Sequence, residues 1–159
     1  MRAIENYADD AKLWIYQSNK PFDELCQIVI KQEISDFVAD WQAHGVRLNA
    51  GFQIIDNQFI ALFVDEENQQ ATGCSIDKSV VLIKNLETKL NLNLTDKGLV
   101  AYVFDNEIKT IDFKDVKKAV QSGEINLETK IFNLAIVKVG QLKTEFKIAA
   151  KNSWLARYF

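Results

Sequence analysis

The sequence predicts an α+β fold: a mixed, mainly antiparallel sheet with two main helices packed on it and a shorter third helix. Three observations lead there. Two pairs of apolar segments are joined by short stretches containing Asp and Asn, as in β-hairpins. Two longer stretches carry apolar residues at helical spacing. Hairpins and helices are interleaved, rather than arranged in a regular strand–helix–strand series. At 159 residues, 48% hydrophobic and 26% charged, the chain is expected to form a single domain over residues 1–159. Its core should need neither disulfides nor metals.

Leu13-Trp14-Ile15-Tyr16 is aromatic and β-branched and predicts a strand. Ser18-Asn19-Lys20-Pro21 predicts a helix start, with the proline at the first helical position, where its missing N–H costs nothing. Phe22, Leu25, Val29, Ile30, Ile34, Phe37, Val38 and Trp41 then mark one buried helical face. Gly45 is expected to end that helix in a left-handed conformation, with His44 in its last turn. Residues 50–55 and 59–64 predict a hairpin around Asp56-Asn57-Gln58. Its second strand is apolar on both faces and should be central and covered. Residues 65–73 are polar and predict a loop.

A second helix is expected from about Ser75, which is a good N-cap, with Ile76, Val80, Ile83, Leu86 and Leu90 facing inward. Residues 99–104 predict a strand, turning at Asp105-Asn106 into a partner over 108–111. Asp112 is expected to cap a short helix with Phe113, Val116 and Val120 inward and Gly123 closing it. The last 35 residues predict a strand over 130–137, a short helix over 141–146 and a final strand over 147–150. The end of the chain, Ser153-Trp154-Leu155-Ala156-Arg157-Tyr158-Phe159, is aromatic. Two readings stay open for it: packing back on the domain, with Tyr7 and Trp14 in the same cluster, or an interface with a second copy or another protein.

Several function classes are excluded or disfavoured. The net charge is −3 and the pI about 5.2, with no basic block, so nucleic acid is not an expected partner. None of the six glycines opens a P-loop or a G-x-G-x-x-G fingerprint. One histidine and no C-x-x-C leave no zinc pattern. Asp65, Glu66 and Asp77 are the right type for a hard cation, but acidic loops are usually solvated faces, and no metal or cofactor is expected. Met1-Arg2-Ala3-Ile4-Glu5-Asn6 has no apolar leader region. The longest apolar run, Phe59-Ile60-Ala61-Leu62-Phe63-Val64, is far too short to span a bilayer. A cytoplasmic protein without membrane insertion is the expectation.

The most site-like segment is Thr72-Gly73-Cys74-Ser75-Ile76-Asp77, where a loop turns into a helix. The first turn of a helix offers unpaired N–H groups and a partial positive charge, which stabilise an anion and lower the pKa of a thiol. Thr72, Gly73, Cys74 and Ser75 are therefore candidate ligand-binding residues. Cys74 with His44 and Asp65 are candidates for a nucleophilic constellation. The structural alternative is that Ser75 caps the helix, Gly73 makes the turn and Cys74 is buried. Acidic neighbours count against a thiolate. Cys26, in an apolar helical pattern, reads as a small core residue.

Four segments taken together resemble a known family. They are Leu13-Trp14-Ile15-Tyr16-Gln17-Ser18-Asn19 with Pro21-Phe22; Trp41-Gln42-Ala43-His44-Gly45; Val64-Asp65-Glu66 followed by Gly73-Cys74-Ser75-Ile76-Asp77-Lys78-Ser79-Val80; and Ser153-Trp154-Leu155-Ala156-Arg157-Tyr158. Nearly the whole chain resembles a small family of uncharacterised bacterial proteins often labelled "ABC transporter ATPase". The resemblance implies a bacterial cytoplasmic protein and carries no catalytic residue with it. The ATPase of the label requires a P-loop and an L-S-G-G-Q signature, and neither stands in this sequence. The expected function is a non-catalytic binding or interaction domain. The alternative is a protein, enzyme or not, that holds a small anion or ligand at Gly73-Cys74-Ser75.

Overall fold

A computed structural model describes residues 3–159; Met1 and Arg2, part of the stretch read for a leader, lie outside the described residues. In chain order the elements are β1 (Lys12–Gln17), α1 (Glu24–Asp40), β2 (Gln42–Ala43), β3 (Val46–Arg47), β4 (Asn49–Ile55), β5 (Phe59–Asp65) and α2 (Gly73–Leu90). There follow β6 (Leu99–Phe104), β7 (Glu107–Asp112), α3 (Val116–Gln121), β8 (Lys130–Phe132) and β9 (Lys147–Ala149). The α+β class is as the sequence predicts. The strands do not share one sheet, however. They form a three-stranded sheet in the order β1-β5-β4, a two-stranded β2-β3 ribbon and a four-stranded sheet in the order β7-β6-β8-β9. The described strand pairings are antiparallel. By its internal contacts the chain divides into two units: one of the described residues up to Thr95 with Val137–Gly140, the other of Asp96–Ile136 with Gln141–Phe159.

In the first unit β5 is the central strand, and Phe59 through Val64 are fully buried, as its two-sided apolar pattern requires. Asp56 and Asn57 turn the β4–β5 hairpin with φ of 49° and 52°, values that Asp and Asn tolerate because their short side chains bond locally. The free edge of β1 is taken up by residues 137–139: Leu13 N–H donates to the Val137 carbonyl (2.9 Å), and Val139 N–H to that of Ala11 (3.0 Å). The predicted strand over 130–137 stops at Phe132, and only its last residue, Val137, belongs to this unit. One core cluster joins Ile30 and Ile34 of α1, Ile83 and Leu86 of α2, and Phe52, Ile60 and Leu62 of the sheet. Each such side chain contributes about 1.5–3 kcal/mol of burial.

Helix α1 begins later than the proline suggests. Asp23 is its N-cap, with a carboxylate oxygen accepting Cys26 N–H at 2.8 Å; a cap hydrogen bond outweighs the N1 preference of Pro21. Leu25 then falls beside the Cys26–Ile30–Ile34 stripe rather than on it, and is 75% exposed. Cys26 is half-buried against the core, in keeping with a small core residue. Among the described residues, no helix is long and apolar enough to cross a membrane.

In the second unit β6 and β7 form the predicted hairpin, with Asp105 and Asn106 at positive φ. Val116 of α3, Tyr102 and Ile131 share a core with Leu155, so the C-terminal segment packs back into its own unit. Tyr7 and Trp14 belong elsewhere: Tyr7 packs edge-on against Phe63, and Trp14 against Trp41, both in the first unit. Phe113, expected to face inward, is exposed and stacks on Trp154. It lies in a 3-10 turn before α3, which shifts it off the inward stripe of that helix. Tyr102 is buried and donates to Glu124 at 2.5 Å. Burial, and next the Glu124 carboxylate beside it, push the phenol well above its ordinary value.

Candidate functional site

Helix α2 starts at Gly73, three residues earlier than a cap at Ser75 would place it. Thr72 is the N-cap: its hydroxyl accepts Ser75 N–H at 3.3 Å, while Ser75 Oγ accepts Thr72 N–H at 2.8 Å. This is a reciprocal capping box with serine where glutamate or glutamine is usual. Ser75 is thus the third helical residue and is buried. Two donors of the first turn, the N–H groups of Gly73 and Cys74, have no acceptor among the described residues, because the box takes the amides on either side of them.

The second wall of the site comes from a hairpin that the helical reading missed. Helix α1 ends at Asp40, and Gln42–Ala43 pairs with Val46–Arg47. His44 and Gly45 form the two-residue turn with φ of 51° and 76°, the positive pair that a type I′ turn requires. Gly45 is left-handed as expected, but it serves a hairpin. His44 sits in a tight turn and not in the last turn of a helix.

These two pieces border a half-open cavity of about 350 Å³. Gln42, Ala43, His44 and Gly45 line it from the hairpin, and Thr72, Gly73, Cys74 and Ser75 from the helix start. Lys78 completes the lining one helical turn on from Cys74 and has no carboxylate partner among the described residues. Cys74 is exposed, which removes the reading of it as a core residue.

Of the nucleophilic constellation, His44 and Cys74 share the cavity and Asp65 does not line it. Asp65 accepts Glu67 N–H at 3.0 Å and the Asn49 amide at 3.4 Å. No hydrogen bond joins His44 to Cys74. Of the acids that count against a thiolate, Asp65 and Glu66 are engaged in the loop, where Glu66 pairs with Lys12 at 3.0 Å and accepts Ala71 N–H at 2.8 Å, while Asp77 lies exposed on α2 beside Lys78. Among the described residues, no group of three or more His, Cys, Asp and Glu side chains could hold a metal ion.

An aromatic cluster lies behind the two walls, outside the lining of the cavity. The Trp41 indole N–H donates to the Ser75 carbonyl at 2.8 Å in a buried setting, and Trp41 packs against Trp14 and Phe37. One turn further along α2, Ser79 is fully buried; its hydroxyl donates to the Ile76 carbonyl at 2.6 Å and also bonds Tyr16. Burial raises the Tyr16 pKa, and the Ser79 hydrogen bond acts in the opposite direction. Neither Trp41 nor Lys78 stands out in the sequence as a site residue. The turn dipeptide His44-Gly45 and the Thr72-x-x-Ser75 spacing are the signals that could have found the two walls.

The chemistry available is therefore two free backbone amides at the positive end of an 18-residue helix, one unpaired ammonium, one imidazole and one thiol. Comparison with protein-family models, curated proteins and solved structures finds no match to this chain.

Proposed function

We propose that this is a non-catalytic binding domain whose ligand presents a small anionic group, a phosphate or a carboxylate, to the cavity at the start of α2. The observation that carries the reading is the convergence of the free Gly73 and Cys74 amides with Lys78 in one cavity. Amides at a helix start point their donors outward, and the helix dipole favours negative charge there. The ammonium adds a charge-assisted bond. A bacterial cytoplasmic setting is part of the proposal and rests on the resemblance described above.

Titration of the full chain with inorganic phosphate by isothermal calorimetry tests it. Saturable binding is expected, weakened about three- to ten-fold by Lys78→Ala, the usual worth of one charge-assisted bond at a partly exposed site. Absence of saturable binding up to millimolar phosphate would overturn it. Catalysis by Cys74 is the less supported reading, because no hydrogen bond joins it to His44 and Asp65 is outside the cavity.

A second reading, a protein interface, is favoured by Phe113, Trp154 and Phe159, which remain 40–48% exposed in the second unit. Size-exclusion chromatography with light scattering tests its homodimeric form, and a monomer at micromolar concentration would dispose of it.

A further inference from the structure

We infer that Trp41 is a positioning residue that ties the two walls of the cavity together. This inference rests on the anion-binding reading for its consequence, but not for its structural content.

Trp41 directly precedes the hairpin wall, and its backbone carbonyl accepts Leu48 N–H at 2.9 Å, closing the ribbon at its base. The side chain of the same residue reaches the other wall through the indole bond to Ser75. That acceptor belongs to the third residue of α2, whose own N–H is held by the Thr72 cap. One residue therefore fixes where the hairpin leaves the core and where the helix starts. The spacing between His44-Gly45 on one side and the Gly73 and Cys74 amides on the other follows from this tie. Trp41 is 2% exposed and packed against the tilted rings of Trp14 and Phe37, so it has little freedom to let either wall drift.

Trp14 provides a matched control. It lies in the same aromatic cluster, with ring centroids 6.0 Å from Trp41, but its indole N–H makes no bond to either wall. Trp41→Phe and Trp14→Phe both shrink the cluster; only the first cuts the tie.

Calorimetric titration with inorganic phosphate, well below the melting temperature of each variant, separates a positioning role from a merely structural one. Trp41→Phe should weaken binding about five-fold, the factor that one buried hydrogen bond commands, while Trp14→Phe binds as the unaltered chain does. Equal affinities in both variants, or equal losses, would overturn the inference. If the unaltered chain binds no phosphate, the anion-binding reading fails, and amide hydrogen exchange of the ligand-free protein decides the tie by itself. Faster exchange at Ser75 and Ile76 in Trp41→Phe than in Trp14→Phe supports it; equal exchange overturns it.

Discussion

Replacing Glu87 should uncouple the segment that follows α2, and the structure supports a worked estimate. One carboxylate oxygen of Glu87 accepts Leu94 N–H at 2.6 Å, Thr95 N–H at 2.7 Å and the Thr95 hydroxyl at 2.9 Å. The Glu87 backbone carbonyl meanwhile accepts the N–H of Asn91 and of Leu92, closing the helix through Asn91 in the left-handed region. Both ends of this residue thus hold the turn that brings Leu92 and Leu94 into the core. Glu87→Ala leaves three donors without a protein acceptor and loosens two buried leucines. A hydrogen bond to a charged group contributes about 1.5–3 kcal/mol when buried. With three donors sharing one half-buried oxygen, a total loss of about 2–4 kcal/mol is expected. Glu87→Gln keeps an acceptor and loses the charge, for about half of that.

The pH dependence carries a definite sign. Burial works to raise the Glu87 pKa, but the bonds from Leu94 and Thr95 and the nearby Lys84 outweigh it and hold the carboxyl below its usual value of 4.5. A depressed carboxylate stabilises the fold fully above the unfolded pKa, and that contribution is lost as pH falls through the folded pKa. Urea unfolding followed by far-ultraviolet circular dichroism, at neutral pH and in steps down to about pH 3, reads both effects. The variants should be less stable at neutral pH and lose less on acidification than the unaltered chain. An unchanged midpoint in Glu87→Gln together with an unchanged acid slope would refute the reasoning.

Two further outcomes follow from packing and exposure. A Cβ added at Gly51 would lie 2.5 Å from the fully buried Phe63 ring and 2.9 Å from the Tyr7 hydroxyl, so Gly51→Ala should cost about 1–3 kcal/mol by overpacking, read as a lower urea midpoint with an unchanged slope; an unchanged midpoint would show that the ring yields freely. In thiol labelling of the native protein, Cys74 should react first because it is exposed, and Cys26 later, because burial and next the Asp23 carboxylate push its thiol up; equal rates at the two sites would contradict the assigned exposures.

The fold was legible where the local signal and the tertiary demand agree. The all-apolar run Phe59–Val64 could only be a covered strand, and Asp105-Asn106 between two apolar segments could only be a tight turn. Boundaries failed where two local rules compete. Pro21 and Asp23 both mark helix starts, and the side-chain bond to Cys26 N–H decides for Asp23. His44-Gly45 follows a helix and resembles a helix stop, but pairing of Ala43 with Val46 makes it a hairpin turn. The site was half legible. Thr72 to Ser75 was marked by the chemistry of helix starts and Lys78 follows Cys74 by one helical turn, whereas Trp41 acquires a role only through a bond across 34 residues of chain, which periodicity does not register. The proximity of His44 to that helix start likewise depends on a ribbon of two residues per strand, too short to leave an alternating pattern.

The most direct test of the binding account is an amide nitrogen–proton correlation spectrum of the labelled full chain, recorded while inorganic phosphate is added. Free donors that gain an acceptor must shift. The largest, saturable shifts are predicted at the Gly73 and Cys74 amides, with smaller ones at His44 and Gly45. Those two amides staying still while phosphate is added to millimolar concentration would contradict the account.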